Sequence, residues 1–197
     1  MISTSRKKRP LDRGKVAFRD SWLIVVAIEG AKTEKWYFEL FQHKRIQIIV
    51  RENVENKSAP RYVMQQLQSF SEEYDLNEDD QLWLVIDKDR WRDEELHSVC
   101  SECDDQGFYK AVSNPCFEYW LLLYHHELPE PRSSREAKTM LGKIHDELNP
   151  INLNTVYEDP ERLRTAVERA RNIDSNPHAP FPSLPGSHVY KITEQLI

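Results

Sequence analysis

The stretch Leu82-Trp83-Leu84-Val85-Ile86-Asp87-Lys88-Asp89 constrains the fold more than any other. Its apolar and β-branched run reads as a buried strand, and it stops at two carboxylates one residue apart. On continued strand geometry Asp87 and Asp89, at i and i+2, point to the same side. Like charges so placed repel, and a divalent cation beside them relieves the repulsion. The pattern therefore reads either as a Mg²⁺ or Mn²⁺ site or as a solvated turn after a strand, where Asp is common.

The flanking sequence predicts an alternation of strands and helices. Trp22 to Ile28 is apolar throughout, as a strand covered on both faces should be, and it ends at Glu29-Gly30. Lys32 to Lys44 is predicted helical, with Trp36, Tyr37, Leu40 and Phe41 on one face. Ile46 to Val50 is a second strand. Pro60 starts a helix whose stripe is Tyr62, Val63, Leu67 and Phe70. Asp93 to Asp104 reads as a helix and Phe108 to Val112 as a fourth strand. Asn114-Pro115 then caps a helix running to about His125. Such alternation implies a parallel, doubly wound α/β sheet with right-handed crossovers.

Glu127 to Ser134, rich in Pro and Ser, reads as a linker, followed by helices over Arg135 to Leu148 and Glu161 to Ile173. The prolines between Pro177 and Pro185 forbid regular structure, and a short helix over Ser187 to Leu196 closes the chain. The expected organisation is a basic arm (1–20), an α/β core (21–126) and a helical C-terminal extension (127–197).

Charge is unevenly spread. Seven Lys or Arg against two Asp give residues 1–20 a net +5, which leaves −11 on the rest of a chain whose total is −6. Such an arm can grip a polyanion, or it can be a solubilising tail. With 30% charged residues and no run of transmembrane length, a soluble, cytoplasmic protein is expected, without a membrane partner. The basic start has no apolar run behind it, so no secretory signal is expected. Three cysteines, an odd number, argue for a reducing compartment.

In open α/β sheets ligands bind beyond the carboxyl ends of the strands, where strand order reverses. Three of the four predicted strands end in groups suited to a site: Glu29-Gly30, Asp87-Lys88-Asp89, and Ser113-Asn114 with Glu118 a turn into the next helix. If the first strand lies beside the third, and the third beside the fourth, these groups converge. That coincidence favours a site over a turn. Gly30 would let the backbone turn sharply. Glu29 and Glu34 have a second reading as acids favoured at a helix N-terminus.

Other motifs carry less. Cys100-Ser-Glu-Cys103 is a single C-x-x-C with no partner pair, poor grounds for zinc. His125-His126 sits where a helix C-terminus welcomes a cation. No G-x-x-x-x-G-K-[ST] and no G-x-S-x-G is present, which excludes an intrinsic P-loop ATPase and a serine-hydrolase elbow.

Three ordered stretches, Glu29-Gly-Ala-Lys-Thr-Glu-Lys-Trp-Tyr-Phe38, Val85-Ile-Asp-Lys-Asp89 and Ser113-Asn-Pro-Cys-Phe-Glu-Tyr-Trp-Leu-Leu122, resemble the RloB-like family; Gly186 to Lys191 fits more loosely. The resemblance implies a Rossmann-like Toprim core related to OLD-type Toprim nucleases. It implies metal-dependent cleavage of RNA, including tRNA, or DNA in anti-phage defence, with an ATPase partner protein. Carried over, Glu29, Asp87 and Asp89 are both catalytic and metal-binding, Glu118 is catalytic and Glu34 a further ligand. Asn114, Lys32, Lys88 and Lys191 are the expected substrate contacts, and Lys110 or Lys191 would supply the family's late Lys. The competing expectation is a non-catalytic nucleic-acid or nucleotide-binding module of a defence complex. A phosphatase using Asp87 fits less well, because Arg90-Trp91 is not the small hydroxyl-bearing turn such enzymes prefer.

Overall fold

The computed structural model of the chain describes residues 22–30, 32–41, 46–51, 59–126, 128–148 and 150–197. The basic arm lies outside them. The fold is α/β, built on a five-stranded, mainly parallel sheet in the order β2-β1-β3-β4-β5. β1 is Trp22–Ile28, β2 Ile46–Arg51, β3 Gln81–Asp87, β4 Tyr109–Asn114 and β5 Gly186–Ser187. β1 and β3 are central, and their continuous apolar runs follow from burial on both faces.

The helices α1 (Thr33–Glu39), α4 (Phe117–Leu122), α5 (Ser134–Glu147), α7 (Pro160–Ile173) and α8 (Tyr190–Thr193) cover one face of the sheet. The helices α2 (Pro60–Glu73) and α3 (Asp93–Asp105) cover the other. Alternate residues of each strand divide between the two cores: Ile24, Val26 and Ile28 face one, Leu23, Val25 and Ala27 the other. The chain leaves β1 toward β2 on one side and returns past it through α2 to β3 on the other. The reversal of strand order therefore falls between β1 and β3, at whose carboxyl ends a crevice must open.

On the first face Tyr37 of α1 is fully buried. Its ring meets Phe38, Phe41, Phe117, Trp120, Tyr124 and Tyr157 edge to face, with centroids 5.0–6.4 Å apart, and its hydroxyl lies 2.8 Å from that of Tyr124. Each such ring pair adds about 0.5–1.5 kcal/mol beyond its buried area. The cluster locks α1 to α4, the two helices that carry Glu34 and Glu118.

Three local expectations change. α1 ends at Glu39, and residues 42–45 lie outside those described. Asn114 does not cap α4: it is the last residue of β4, paired with Gly186, and a cis peptide bond to Pro115 separates it from the cap residue, Cys116. The closing segment is not one helix, because Gly186–Ser187 joins the sheet as an antiparallel edge strand before α8. A further helix, α6 (Pro150–Glu158), precedes α7. The Pro177–Pro185 stretch has no helix or strand.

Candidate functional site

Both strand pairings needed for convergence are present: β1 lies beside β3 and β3 beside β4, all parallel. Ile28 is level with Val85, so Glu29 emerges beside the end of β3, and its carboxylate accepts the Asp87 N–H at 3.4 Å. Asp87, the last residue of β3, accepts the Phe117 N–H at 2.8 Å, which ties the strand end to the first turn of α4. Glu34 accepts the Gly30 N–H at 3.2 Å. Together Glu29, Gly30, Lys32, Thr33, Glu34, Asp87, Arg90, Glu118 and Lys138 line a cleft of about 350 Å³ at the switch point.

Gly30 is needed for room, not for a left-handed turn. A Cβ there would stand 2.5 Å from both Glu34 carboxylate oxygens, and its backbone is outside the left-handed region. A side chain at position 30 would displace Glu34, one of the cleft's acids.

The acids repel one another in a poorly solvated place. Burial pushes Glu29 up to about 7 from its usual 4.5; the Asp87 N–H and the nearby Trp91 indole pull it back, and Asp89 raises it. The Trp91 Nε1 is buried and falls short of hydrogen-bond geometry. Burial, followed by the charges of Glu34, Glu29, Glu118 and Asp89, holds Asp87 well above the carboxylate range. Burial and then Glu118 raise Glu34. Burial alone would lower the Lys138 ammonium, but Glu118 at 3.9 Å, with weaker pulls from Asp87 and Asp89, turns the balance upward. Carboxyls so perturbed and gathered in a cleft make it a candidate site.

Continued strand geometry does not set the place of Asp89, although its charge acts on both Glu29 and Asp87. β3 ends at Asp87, and Asp89 sits in the following turn with its N–H on the Pro115 carbonyl at 3.1 Å. Asp89 lines an adjoining cavity with Arg90, Ser134, Arg135, Lys138 and Thr139. Lys32 lines the acidic cleft, whereas the other expected substrate contacts are engaged elsewhere. Asn114 donates to the Pro182 carbonyl at 2.9 Å. Lys88 reaches Asp93 at 3.2 Å and lies over the Phe181 ring. Lys191 donates to the Pro177 carbonyl at 2.6 Å, and Lys110 pairs with Asp104. Cys100 and Cys103 are core residues of the α3 face, their thiols pushed up by burial to about 11 and about 12.

Sequence reasoning missed Arg90, Trp91 and Lys138. The first two follow the Asp-x-Asp directly and were legible as neighbours. Lys138 is on α5, and nothing local marks it as part of the cleft.

The anionic donors of the cleft, Glu29, Glu34, Asp87 and Glu118, are hard carboxylate oxygens, the chemistry that Mg²⁺ and Mn²⁺ select. Among the described residues no three His, Cys, Asp or Glu side chains stand at coordination spacing. Glu29 and Glu34 are each turned onto a backbone N–H, so gathering around one ion requires side-chain rotation.

Fold and site thus define a Rossmann-like α/β protein with an acidic cleft at its topological switch point. More particularly, the chain belongs to the RloB-like protein family, whose model matches residues 24–196. No curated protein and no solved structure matches it. No helix among the described residues is long and apolar enough to cross a membrane.

Proposed function

We propose that this protein is a divalent-metal-dependent nuclease that cleaves phosphodiester bonds of RNA or DNA. One observation carries the reading. Glu29, Glu34, Asp87 and Glu118, contributed by four separate points in the chain, meet in one poorly solvated cleft, where burial and mutual repulsion raise three of them. Burying such a cluster disfavours the fold, and a divalent cation bound there would relieve the repulsion beyond what Lys32, Arg90 and Lys138 do.

Glu29, Glu34 and Asp87, with Asp89 reaching from the adjoining cavity, would hold Mg²⁺ or Mn²⁺. When bound, such an ion lowers the pKa of a water and stabilises charge on a phosphoryl group. The protein's own groups do the rest. The Phe117 N–H fixes the orientation of the Asp87 carboxylate. Lys32, Arg90 and Lys138 line the cleft and offset its negative charge, so that a phosphodiester can approach. We further propose, on the family resemblance, that the activity belongs to a Toprim-type nuclease in anti-phage defence and works with an ATPase partner.

The test is cleavage of tRNA, single-stranded RNA and DNA with Mg²⁺, Mn²⁺ or EDTA, by the wild type and Asp87→Asn. Asparagine keeps an acceptor for the Phe117 N–H, which alanine would remove. Activity should vanish in EDTA and fall by at least ~100-fold in the variant. Equal cutting by both proteins would sink the assignment. Tight nucleic-acid binding without cutting would leave the binding-module reading.

A further inference from the structure

The cavity beside the acidic cleft has a chemistry of its own. Its volume is about 490 Å³, and Asp89, Arg90, Ser134, Arg135, Lys138 and Thr139 line it. Three cations thus face one carboxylate. The ion pairs present are long: Arg90 Nε lies 3.7 Å from Asp89, and Lys138 Nζ lies 3.9 Å from Glu118 outside the cavity. Arg135 has no ion pair among the described residues.

This positive group sits at the amino end of α5, a 14-residue helix whose own ending is complete. Ser133 caps it by accepting the Glu136 N–H at 3.2 Å, and the Glu136 carboxylate reaches back to the Arg132 N–H at 2.8 Å. Arg135, in the first turn, and Lys138 add positive charge to the positive end of the helix dipole, which disfavours the fold. Ser134 supplies the independent sign. It lines the cavity and is 9% exposed, and among the described residues its Oγ has no hydrogen-bond partner. Capping does not use it, and leaving a buried hydroxyl unpaired disfavours the fold. Guanidinium groups, an ammonium and a hydroxyl together match a tetrahedral oxyanion.

We propose that this cavity is a phosphate subsite that holds the nucleic-acid strand next to the bond presented to the acidic cleft. The two cavities share Arg90 and Lys138, so a phosphate held here lies on a strand already passing the acids. The proposal rests on the reading of the cleft as a nucleic-acid site. The chemistry suits an internal phosphodiester or a terminal 5′-phosphate.

The experiment is binding of the full-length protein to short 3′-fluorescein single-stranded RNA and DNA in EDTA across a salt series. Each oligonucleotide is used with a 5′-hydroxyl and with a 5′-phosphate. Arg135 is exposed, and among the described residues its side chain makes no hydrogen bond or ion pair, so Arg135→Ala should fold. It should weaken binding roughly tenfold at moderate salt and flatten the log–log salt slope by about 0.7–0.9, one phosphate contact. Ser134→Ala should weaken binding by about 3- to 10-fold while raising the melting temperature of the free protein. A serine with a purely structural role would not show that opposition. A 5′-phosphate advantage that disappears in Arg135→Ala identifies the terminal group, and equal affinity of the two forms identifies an internal phosphate. Unchanged affinity and slope in Arg135→Ala, or no binding of either nucleic acid by the wild type, overturns the subsite. Arg135-dependent binding without cleavage in Mg²⁺ or Mn²⁺ would instead defeat the nuclease reading and leave the subsite standing.

Discussion

Glu29→Gln should stabilise the metal-free protein, and by an amount that depends on pH. Burial lifts the Glu29 carboxyl from 4.5 to about 7. The native state therefore holds a proton that the unfolded chain has released between those values. Stability must fall as pH rises through that window, because the folded state binds more protons there. The full penalty is present above about pH 7 and absent below about 4.5. At about 1.4 kcal/mol for each tenfold change, it comes to about 3 kcal/mol. Glutamine has nearly the same shape and still accepts the Asp87 N–H, so the variant removes the charge and little else. In EDTA at pH 8 it should be more stable by about 3 kcal/mol, or roughly 6–12 °C in melting temperature. At pH 4 the two proteins should coincide. Urea denaturation from pH 4 to pH 8 measures this directly. A divalent ion at ~100 times its Kd should return about 2.7 kcal/mol to the wild type alone and nearly close the gap at pH 8. A difference between wild type and variant that is flat with pH would refute the reasoning.

Gly30→Ala should leave the fold intact, since the clash is with a flexible side chain, but should turn Glu34 out of the cleft. Metal affinity, read by the ion-induced rise in melting temperature, should drop by about 10- to 100-fold. Tyr37→Ala removes the ring that joins α1 to α4 and should cost about 3–5 kcal/mol by chemical denaturation. Deletion of residues 1–20 takes away seven Lys or Arg. If about three of them contact phosphate, the salt slope of nucleic-acid binding should flatten by roughly 2–3, while cleavage at saturating substrate persists. Identical slopes would make the arm a solubilising tail or a grip on a protein partner.

The core of the fold was legible because its signals are local. Trp22–Ile28 and Gln81–Asp87 are strands covered on both faces, and covering both faces demands an unbroken apolar run. Val63, Leu67 and Phe70 of the expected stripe mark α2, because a helix buries residues three and four apart, whereas Tyr62, expected with them, is exposed. The acids at the ends of β1 and β3 stood out for the same reason, since charge at the end of a buried strand has no packing explanation. Strand order remained conditional, because parallel strands β1 and β3 pair across more than fifty intervening residues.

The tertiary structure alone decided the rest. β5 is two residues long in a proline-rich segment, and only its place beside Ser113 and Asn114 makes it a strand. Asp89 is placed by a turn and not by strand alternation, because β3 stops at Asp87. Lys138 enters the cleft because α5 packs on the face that α4 shares, some fifty residues after the Asp-x-Asp. The sequence lists which acids are present. How strongly each holds its proton depends on what surrounds it, and in a folded chain those surroundings come from distant segments.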